Sequence, residues 1–177
     1  EKVEASLSPH SSGVKLLLAS SAPRDMTLIS QDKNYETLAR RLAGIARFVV
    51  LDMGSGLPAF AQKVLPMCSE CLVVVEGAPS AIQHTRYLIE DIVALKVDPR
   101  NIHVVLNNRV RSESQMPMSQ AQEKLGHSIA ATLTPAPEAF LQAARLQTPA
   151  VISQPTNITS QQFFKLADSI IEREKSQ

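Results

Sequence analysis

Residues 49–59, VVLDMGSGLPA, place an acid and two glycines between an apolar run and a predicted helix. The apolar run ends at Asp52, and Gly54 and Gly56 follow it closely. An acid that ends a strand can hold a magnesium-bound water, and a following glycine lets the backbone approach a phosphate. The alternative is a plain strand-to-helix turn, in which the glycines relieve backbone strain and Asp52 caps the helix.

The same glycines also fit two other cofactor sites. Gly54-x-Gly56-x-x-Ala59 matches the G-x-G-x-x-G/A pattern of dinucleotide-binding folds. Glu76 lies about 20 residues further on, where such folds place an acid on the ribose. A methyltransferase would hold S-adenosylmethionine on this stretch, again with Glu76 on the ribose, although Pro58 replaces a third glycine. The residues alone leave these alternatives open.

A phosphate-binding loop is absent from the sequence. The chain has six glycines, and none of them begins the pattern G-x-x-x-x-G-K-[ST]. Gly13-Val14-Lys15 precedes a predicted strand instead of following one, and Leu16 stands where Ser or Thr is required. These residues therefore cannot complete nucleotide phosphate chemistry alone.

Cys68 and Cys71 form a CxxC pattern. A zinc site would need a second pair of ligands, and the four histidines show no ligand spacing. A thioredoxin-type pair begins a helix after a strand, whereas this pair ends a helix before a strand. Packing in the core is the favoured interpretation.

Composition limits the functional classes. The 177 residues are 44% apolar, with 18 Lys and Arg against 17 Asp and Glu. This balance gives no sign of a nucleic-acid-binding or membrane-binding surface. No apolar run approaches the roughly 18 residues of a membrane-spanning helix, and two cysteines make no disulfide framework. We expect a soluble protein of the cytoplasm without a membrane anchor.

Strand and helix patterns alternate along the whole chain. Apolar runs predict strands at 14–19, 48–51, 71–75, 102–106 and 129–133, and helical spacing predicts helices at 32–44, 58–67, 79–96, 119–126, 137–146 and 160–172. Strands that are apolar throughout are typical of parallel sheets covered on both faces. The pattern predicts an α/β fold with a mainly parallel sheet and helices on both faces. Ligands then bind beyond the carboxyl ends of the strands.

Asn107-Asn108-Arg109 follows the fourth predicted strand and lies at such an end. An amide side chain offers both a donor and an acceptor to the edge of an adenine. Asparagine also tolerates the left-handed turn that often follows a strand. Spacing alone favours the turn.

Five segments in order resemble the MinD/ParA family of P-loop ATPases, and within it the CpaE/TadZ-like branch of pilus assembly and secretion. The segments are GVKLLLASSAPRD, FVVLDMGSGL, CLVVVEGAPSAIQHTRYLIEDI, HVVLNNRVR and IAATLTPAPEAFLQAARLQTPAV. The resemblance implies a three-layer P-loop NTPase-like fold. Residues 1–177 would form a single α/β domain, the C-terminal part of a longer ATPase domain. The strand that carries the phosphate loop would be absent, which leaves a gap between the strands at 48–51 and 71–75.

The resemblance also assigns roles near the first glycine-rich turn. Asp52 would be the Walker B acid that positions magnesium through a water, and Gly54 and Gly56 would belong to switch II. The family commonly has prolines after the acid, whereas this chain has Met53-Gly54-Ser55. The resemblance therefore departs from the family pattern at the residues that sense the γ-phosphate.

On the base side, the resemblance implies that Asn107 contacts adenine with Arg109 beside it, and that Pro135 and Pro137 border the base. The implied cofactors are ATP and magnesium. The implied assembly is a homodimer that positions pilus or secretion proteins at the cell pole or the inner membrane face. Hydrolysis would require a phosphate loop from the native protein. The alternatives are an S-adenosylmethionine-dependent methyltransferase and a non-catalytic scaffold with the ATPase fold.

Overall fold

A computed structural model describes residues 2–22, 24–25, 30–109 and 116–175. The chain divides into two compact units, Glu1–Cys68 and Ser69–Gln177. Among the described helices, none is both long enough and apolar enough to cross a membrane. The two units are described separately below.

The first unit is mainly helical. Its elements are α1 (Lys2–Ala5), β1 (Ser8–Pro9), β2 (Lys15–Leu16), α2 (Asp32–Ala43), α3 (Ala59–Val64) and a 3₁₀ turn at Leu65–Met67. β1 and β2 form a short antiparallel pair. The predicted helices at 32–44 and 58–67 are confirmed to within a few residues. Tyr35 of α2 stacks on Phe60 of α3, with the ring centroids 4.6 Å apart.

Both predicted strands of the first unit are wrong. At 14–19 only Lys15–Leu16 pairs, and it pairs with Ser8–Pro9 on the exposed surface. Residues 48–51 belong to no sheet among the described residues, and Val50 is 94% exposed. A strand needs ladder partners for its backbone N–H and C=O groups. The described part of this unit offers no strand partner to residues 17–19 and 48–51, so these residues are irregular and most of them are exposed.

The second unit is built around a three-stranded parallel sheet. The elements are β3 (Cys71–Val75), α4 (Pro79–Ala94), a 3₁₀ turn (Pro99–Asn101), β4 (Ile102–Asn107), α5 (Met118–Leu125), β5 (Ile129–Leu133), α6 (Pro137–Arg145), α7 (Ala150–Ser153) and α8 (Ile158–Glu174). The sheet order is β3-β4-β5, so β4 is central. All five predicted elements from 71 to 133 are confirmed, as are the two last helices, apart from small shifts at their ends.

The core of this unit lies around β4. Val104 is fully buried and Val105 is 2% exposed, because strands pair on both sides of β4 and helices pack on the sheet. α4 contacts β3 through a buried stripe that includes Ile82, Ile89 and Ile92, as its helical spacing predicts. α8 contacts β5.

The expectation that every strand is covered on both faces is wrong for β3. Its residues alternate between buried and exposed, and Leu72 and Val74 are exposed. β3 pairs only with β4 in the described sheet, so it forms an edge. The alternation shows separately that the described residues cover one face of β3 and leave the other exposed, so this unbroken apolar run is only half buried.

A polar cluster joins α8 to the centre of the sheet. His103 of β4 is buried, and its ring contacts the carboxylate of Glu70, which precedes β3. Arg173, in the last turn of α8, contacts the same ring, with its Nη1 2.5 Å from Nδ1 and 2.6 Å from Nε2. The cluster therefore fixes the end of α8 against β4.

Candidate functional site

The turn that follows residues 48–51 is closed by Asp52. The backbone N–H of Gly54 donates to Oδ1 of Asp52 at 2.9 Å. Gly54 and Gly56 have φ angles of 71° and 72°, a region that residues with a side chain rarely adopt. Both glycines are therefore required by the backbone of this turn.

Asp52 does not cap the helix that follows. α3 begins at Ala59 after Pro58, and no side chain caps it. The carboxylate instead bonds to its own turn and is exposed. A carboxylate fixed in this way can accept a hydrogen bond from a magnesium-bound water without first rearranging. This arrangement favours the binding interpretation of Asp52 over the helix-capping alternative.

The second group of candidates lies at the carboxyl ends of β3, β4 and β5. Glu76 follows β3, and Asn107 ends β4. The guanidinium Nη1 of Arg109 donates to Oε1 of Glu76 at 3.2 Å. The N–H of Met116 donates to the carbonyl of Gly77 at 3.0 Å. Both contacts join the chain after β4 to the end of β3.

Asn108 carries an unsatisfied acceptor at this edge. Its backbone N–H donates to the carbonyl of Leu133 at 2.9 Å, which ties it to β5. Its side-chain Oδ1 is buried and has no hydrogen-bond partner in the part of the chain that the structure describes. An unpaired buried acceptor costs about 1–3 kcal/mol, and such groups in native proteins often mark a ligand site. The exocyclic amino group of adenine is a donor of the required kind, so the residues present fit an adenine nucleotide.

The assignment of adenine contact to Asn107 stays a prediction. Asn107 is the last residue of β4 and is half-buried. Asn108 was only a neighbour in the sequence pattern, yet it holds the orphaned oxygen. The doubled asparagine was the available signal, but both residues are half-buried, and only the hydrogen bonding of Oδ1 in the fold singles out Asn108.

The loop after β5 lines an open cavity of about 350 Å³. Thr134 anchors this loop, because its N–H donates to Oε1 of Gln162 at 2.8 Å and its carbonyl accepts from the Thr159 hydroxyl at 2.9 Å. Pro137 begins α6, and Pro135 precedes it. The lining residues are Thr134–Ala139 without a gap, Gln154, Asn157, Ile158 and Thr159. The volume lies at the lower end of the range for ligand sites.

The seven predicted site residues fall in both units. Asp52, Gly54 and Gly56 belong to the first unit, and the remaining four belong to the second. The remaining four are Asn107, Arg109, Pro135 and Pro137. Within the second unit, the sheet places these four at its carboxyl edge, as predicted for parallel strands. The pairing of Arg109 with Glu76 was missed, because it depends on strand register and not on local pattern.

Cys68 is the last residue of the first unit, and Cys71 begins β3 in the second. Cys71 is buried, and Cys68 is half-buried with its Sγ 3.5 Å from the Val64 carbonyl. Burial raises the pKa of the Cys68 thiol, which disfavours the thiolate that metal binding and redox chemistry need. In the described ranges, no group of three or more His, Cys, Asp or Glu residues could hold a metal ion. These positions favour packing.

Comparison with known proteins gives structural relatives only. No protein-family model matches the chain, and no curated protein matches it. A ParA family ATPase from Chlorobium tepidum TLS is similar with a TM-score of 0.84 and 14% identity, over 94% of this chain and 68% of that one. The septum site-determining protein MinD from Pyrococcus horikoshii OT3, complexed with Mg-ADP, has a TM-score of 0.82 and 20% identity, over 96% and 69%.

The cell division ATPase MinD from Pyrococcus furiosus is similar to the same degree, with a TM-score of 0.82 and 20% identity over 97% of this chain and 71% of that one. This chain has the ParA/MinD fold. The predicted α/β class, P-loop NTPase-like with a mainly parallel sheet, is confirmed. Identities of 14–20% establish the fold alone.

Proposed function

We propose that this chain is part of a nucleotide-dependent molecular switch of the ParA/MinD type. The observation that carries the proposal is the turn at Asp52, where the N–H of Gly54 holds an exposed carboxylate and two glycines have positive φ. The ParA/MinD fold supports it, since a structural relative is a MinD complexed with Mg-ADP. The orphaned Oδ1 of Asn108 supports it independently.

In this proposal each candidate residue contacts a different part of the nucleotide. Asp52 would hold magnesium through a water, on a turn shaped by Gly54 and Gly56. Asn107 or Asn108 would accept from the adenine amino group. Pro135 and Pro137 would border the base at the cavity after β5. When bound, magnesium neutralises charge on the phosphates of the nucleotide.

A phosphate loop must come from elsewhere for hydrolysis to occur. None of the six glycines begins one. The similar structures are longer than this chain, which covers 68–71% of them. We propose that a further segment of the same protein supplies the loop and makes it an ATP hydrolase. Such a segment would also give residues 48–51 the strand partner that they lack in this structure.

The biological role is proposed on the resemblance to the CpaE/TadZ-like branch. In this proposal the protein forms a homodimer around ATP and positions pilus or secretion machinery at the cell pole or the inner membrane face. One similar structure is described as a MinC:MinD cell division protein complex, which supports a partner-binding role for the fold.

A non-catalytic scaffold is the second candidate. It is favoured by one observation, the lack of a phosphate loop in these 177 residues. The methyltransferase alternative gains no such support. Pro58 stands where its third glycine would be.

The test is Asp52→Ala in the full-length protein as its own cell makes it. We expect loss of magnesium-dependent ATP binding and turnover, since no other side chain of this turn is a carboxylate. The matched control is Asp91→Ala, an exposed acid on α4, which should leave both unchanged. Unchanged turnover in Asp52→Ala would remove Asp52 from the site, and absence of turnover in the wild-type protein would favour the scaffold.

A further inference from the structure

We propose that Glu76 is an internal competitor for Arg109, so that their ion pair must open before Arg109 can contact a nucleotide. The inference rests on the proposed function and concerns regulation of the same site. It makes Glu76 a residue that weakens nucleotide binding. Removal of its charge should therefore tighten binding.

The position of the pair in the sheet carries the argument. β4 lies between β3 and β5. Arg109, just beyond β4, turns toward the β3 side, where its Nη1 meets Oε1 of Glu76 at 3.2 Å. The cavity bordered by Pro135 and Pro137 follows β5, on the opposite side of β4. While Nη1 of Arg109 holds Glu76, the guanidinium lies on the β3 side of β4, and Arg109 is not among the residues that line that cavity.

Backbone hydrogen bonds hold the residues next to the ion pair, Asn108 beside Arg109 and Gly77 beside Glu76. The N–H of Asn108 is bonded to Leu133 on the β5 side, and the carbonyl of Gly77 accepts from Met116 on the β3 side. The orphaned Oδ1 of Asn108 is adjacent in the chain to Arg109. A base that reached Asn108 would lie within reach of a released Arg109 guanidinium.

The pair is weak enough to open. The side chains of Arg109 and Glu76 are 72% and 53% exposed, and an exposed pair of this kind changes an equilibrium constant by at most about fivefold. The contact uses one nitrogen of a planar group with five donors. A polyanionic nucleotide that also presents an aromatic face offers Arg109 both charge and stacking, and so competes well with one carboxylate.

The experiment is a calorimetric titration of MgADP into the full-length protein and its variants. Glu76→Gln keeps the shape of the side chain and should tighten binding by about two- to fivefold. The control is Glu90→Gln on α4, where Glu90 pairs with Arg86 at 3.0 Å with similar exposure; it should change nothing. In an Arg109→Ala background, Glu76→Gln should have no effect.

A general repulsion between Glu76 and the nucleotide gives a different result. It would let Glu76→Gln tighten binding even without Arg109, and that outcome overturns the proposal. Unchanged or weaker binding in Glu76→Gln also overturns it. The increase in MgADP affinity caused by Glu76→Gln should be smaller at about 1 M salt, where the Debye length is about 3 Å. A merely structural role of Glu76 would not make this increase depend on salt. Absence of MgADP binding in the wild-type protein would overturn the proposed function itself.

Discussion

Two segments of nearly the same sequence, one in each unit, differ in structure. Residues 48–51 read FVVL and residues 103–106 read HVVL. The second is the buried centre of a three-stranded sheet, whereas the first belongs to no described sheet. Val105 is 2% exposed and its counterpart Val50 is 94% exposed. An apolar, β-branched segment therefore forms a strand only where another strand can pair with it.

The largest expected effect comes from truncating the two counterparts. Val105→Ala should lower the free energy of unfolding of the 177-residue chain by about 2–3 kcal/mol, because it removes two buried methyl groups and leaves a cavity. Val50→Ala should change it by less than about 0.5 kcal/mol. Urea unfolding followed by circular dichroism measures both. Equal losses would mean that residues 48–51 pack as a strand in solution.

The same two substitutions, Val50→Ala and Val105→Ala, can be compared in the full-length protein. If a further segment pairs with residues 48–51, Val50→Ala should there cost as much as Val105→Ala. A cost that stays near zero would contradict the proposed strand partner.

Gly54 and Gly56 test whether the turn after the unpaired segment is nevertheless specified. Gly54→Ala or Gly56→Ala should each cost about 1–2 kcal/mol, because their φ angles of 71° and 72° strain an L-residue. The matched control is Gly44→Ala, whose φ is −80° and whose added Cβ would meet only Arg41 and Arg40 oxygens at 3.5 and 3.8 Å. Thermal unfolding should show no loss for the control. Tolerance at both 54 and 56 would mean that the turn is not fixed.

Helix caps give a smaller contrast between the units. Oδ1 of Asn157 accepts from the N–H of Thr159 and caps α8, whereas Gln31 at the start of α2 makes no capping bond. Asn157→Ala should cost about 1 kcal/mol, and Gln31→Ala close to nothing. Differential scanning calorimetry of the two variants checks this order, and a reversed order would contradict the capping geometry.

The smallest effect concerns Cys68. Its thiol pKa is raised by burial, so its thiolate fraction at neutral pH is below that of a free cysteine. Iodoacetamide should therefore modify it more slowly than free cysteine at pH 7.5, with a rate that rises as the pH approaches the raised pKa. Mass spectrometry of the modified chain measures the rate. Cys68→Ser should leave nucleotide binding unchanged, and faster labelling than free cysteine would contradict the burial.

The turn at Asp52 was predictable from the sequence, whereas the absence of a strand partner for residues 48–51 was not. The Asp52 turn could be predicted because an acid and two glycines within five residues specify a backbone shape locally. β3, β4 and β5 could be predicted because their partners lie in the same unit. Residues 48–51 show where prediction from the sequence fails. Whether a segment forms a strand depends on pairing partners that its own sequence does not specify.

The base-side site shows a second limit. Asn107 and Asn108 are identical in type, and only the tertiary structure leaves the Oδ1 of Asn108 buried without a partner among the described residues. Glu76 and Arg109 lie 33 residues apart, and the register of β3 on β4 brings them together. Neither relation is a local pattern.

The central claim is that this chain contributes to a magnesium–nucleotide site. The most direct measurement is calorimetric titration of MgATP into the full-length protein, repeated with EDTA in excess. We expect saturable binding of MgATP that disappears with EDTA and in Asp52→Ala. Absence of binding in the wild-type protein, or binding that survives both changes, would contradict it.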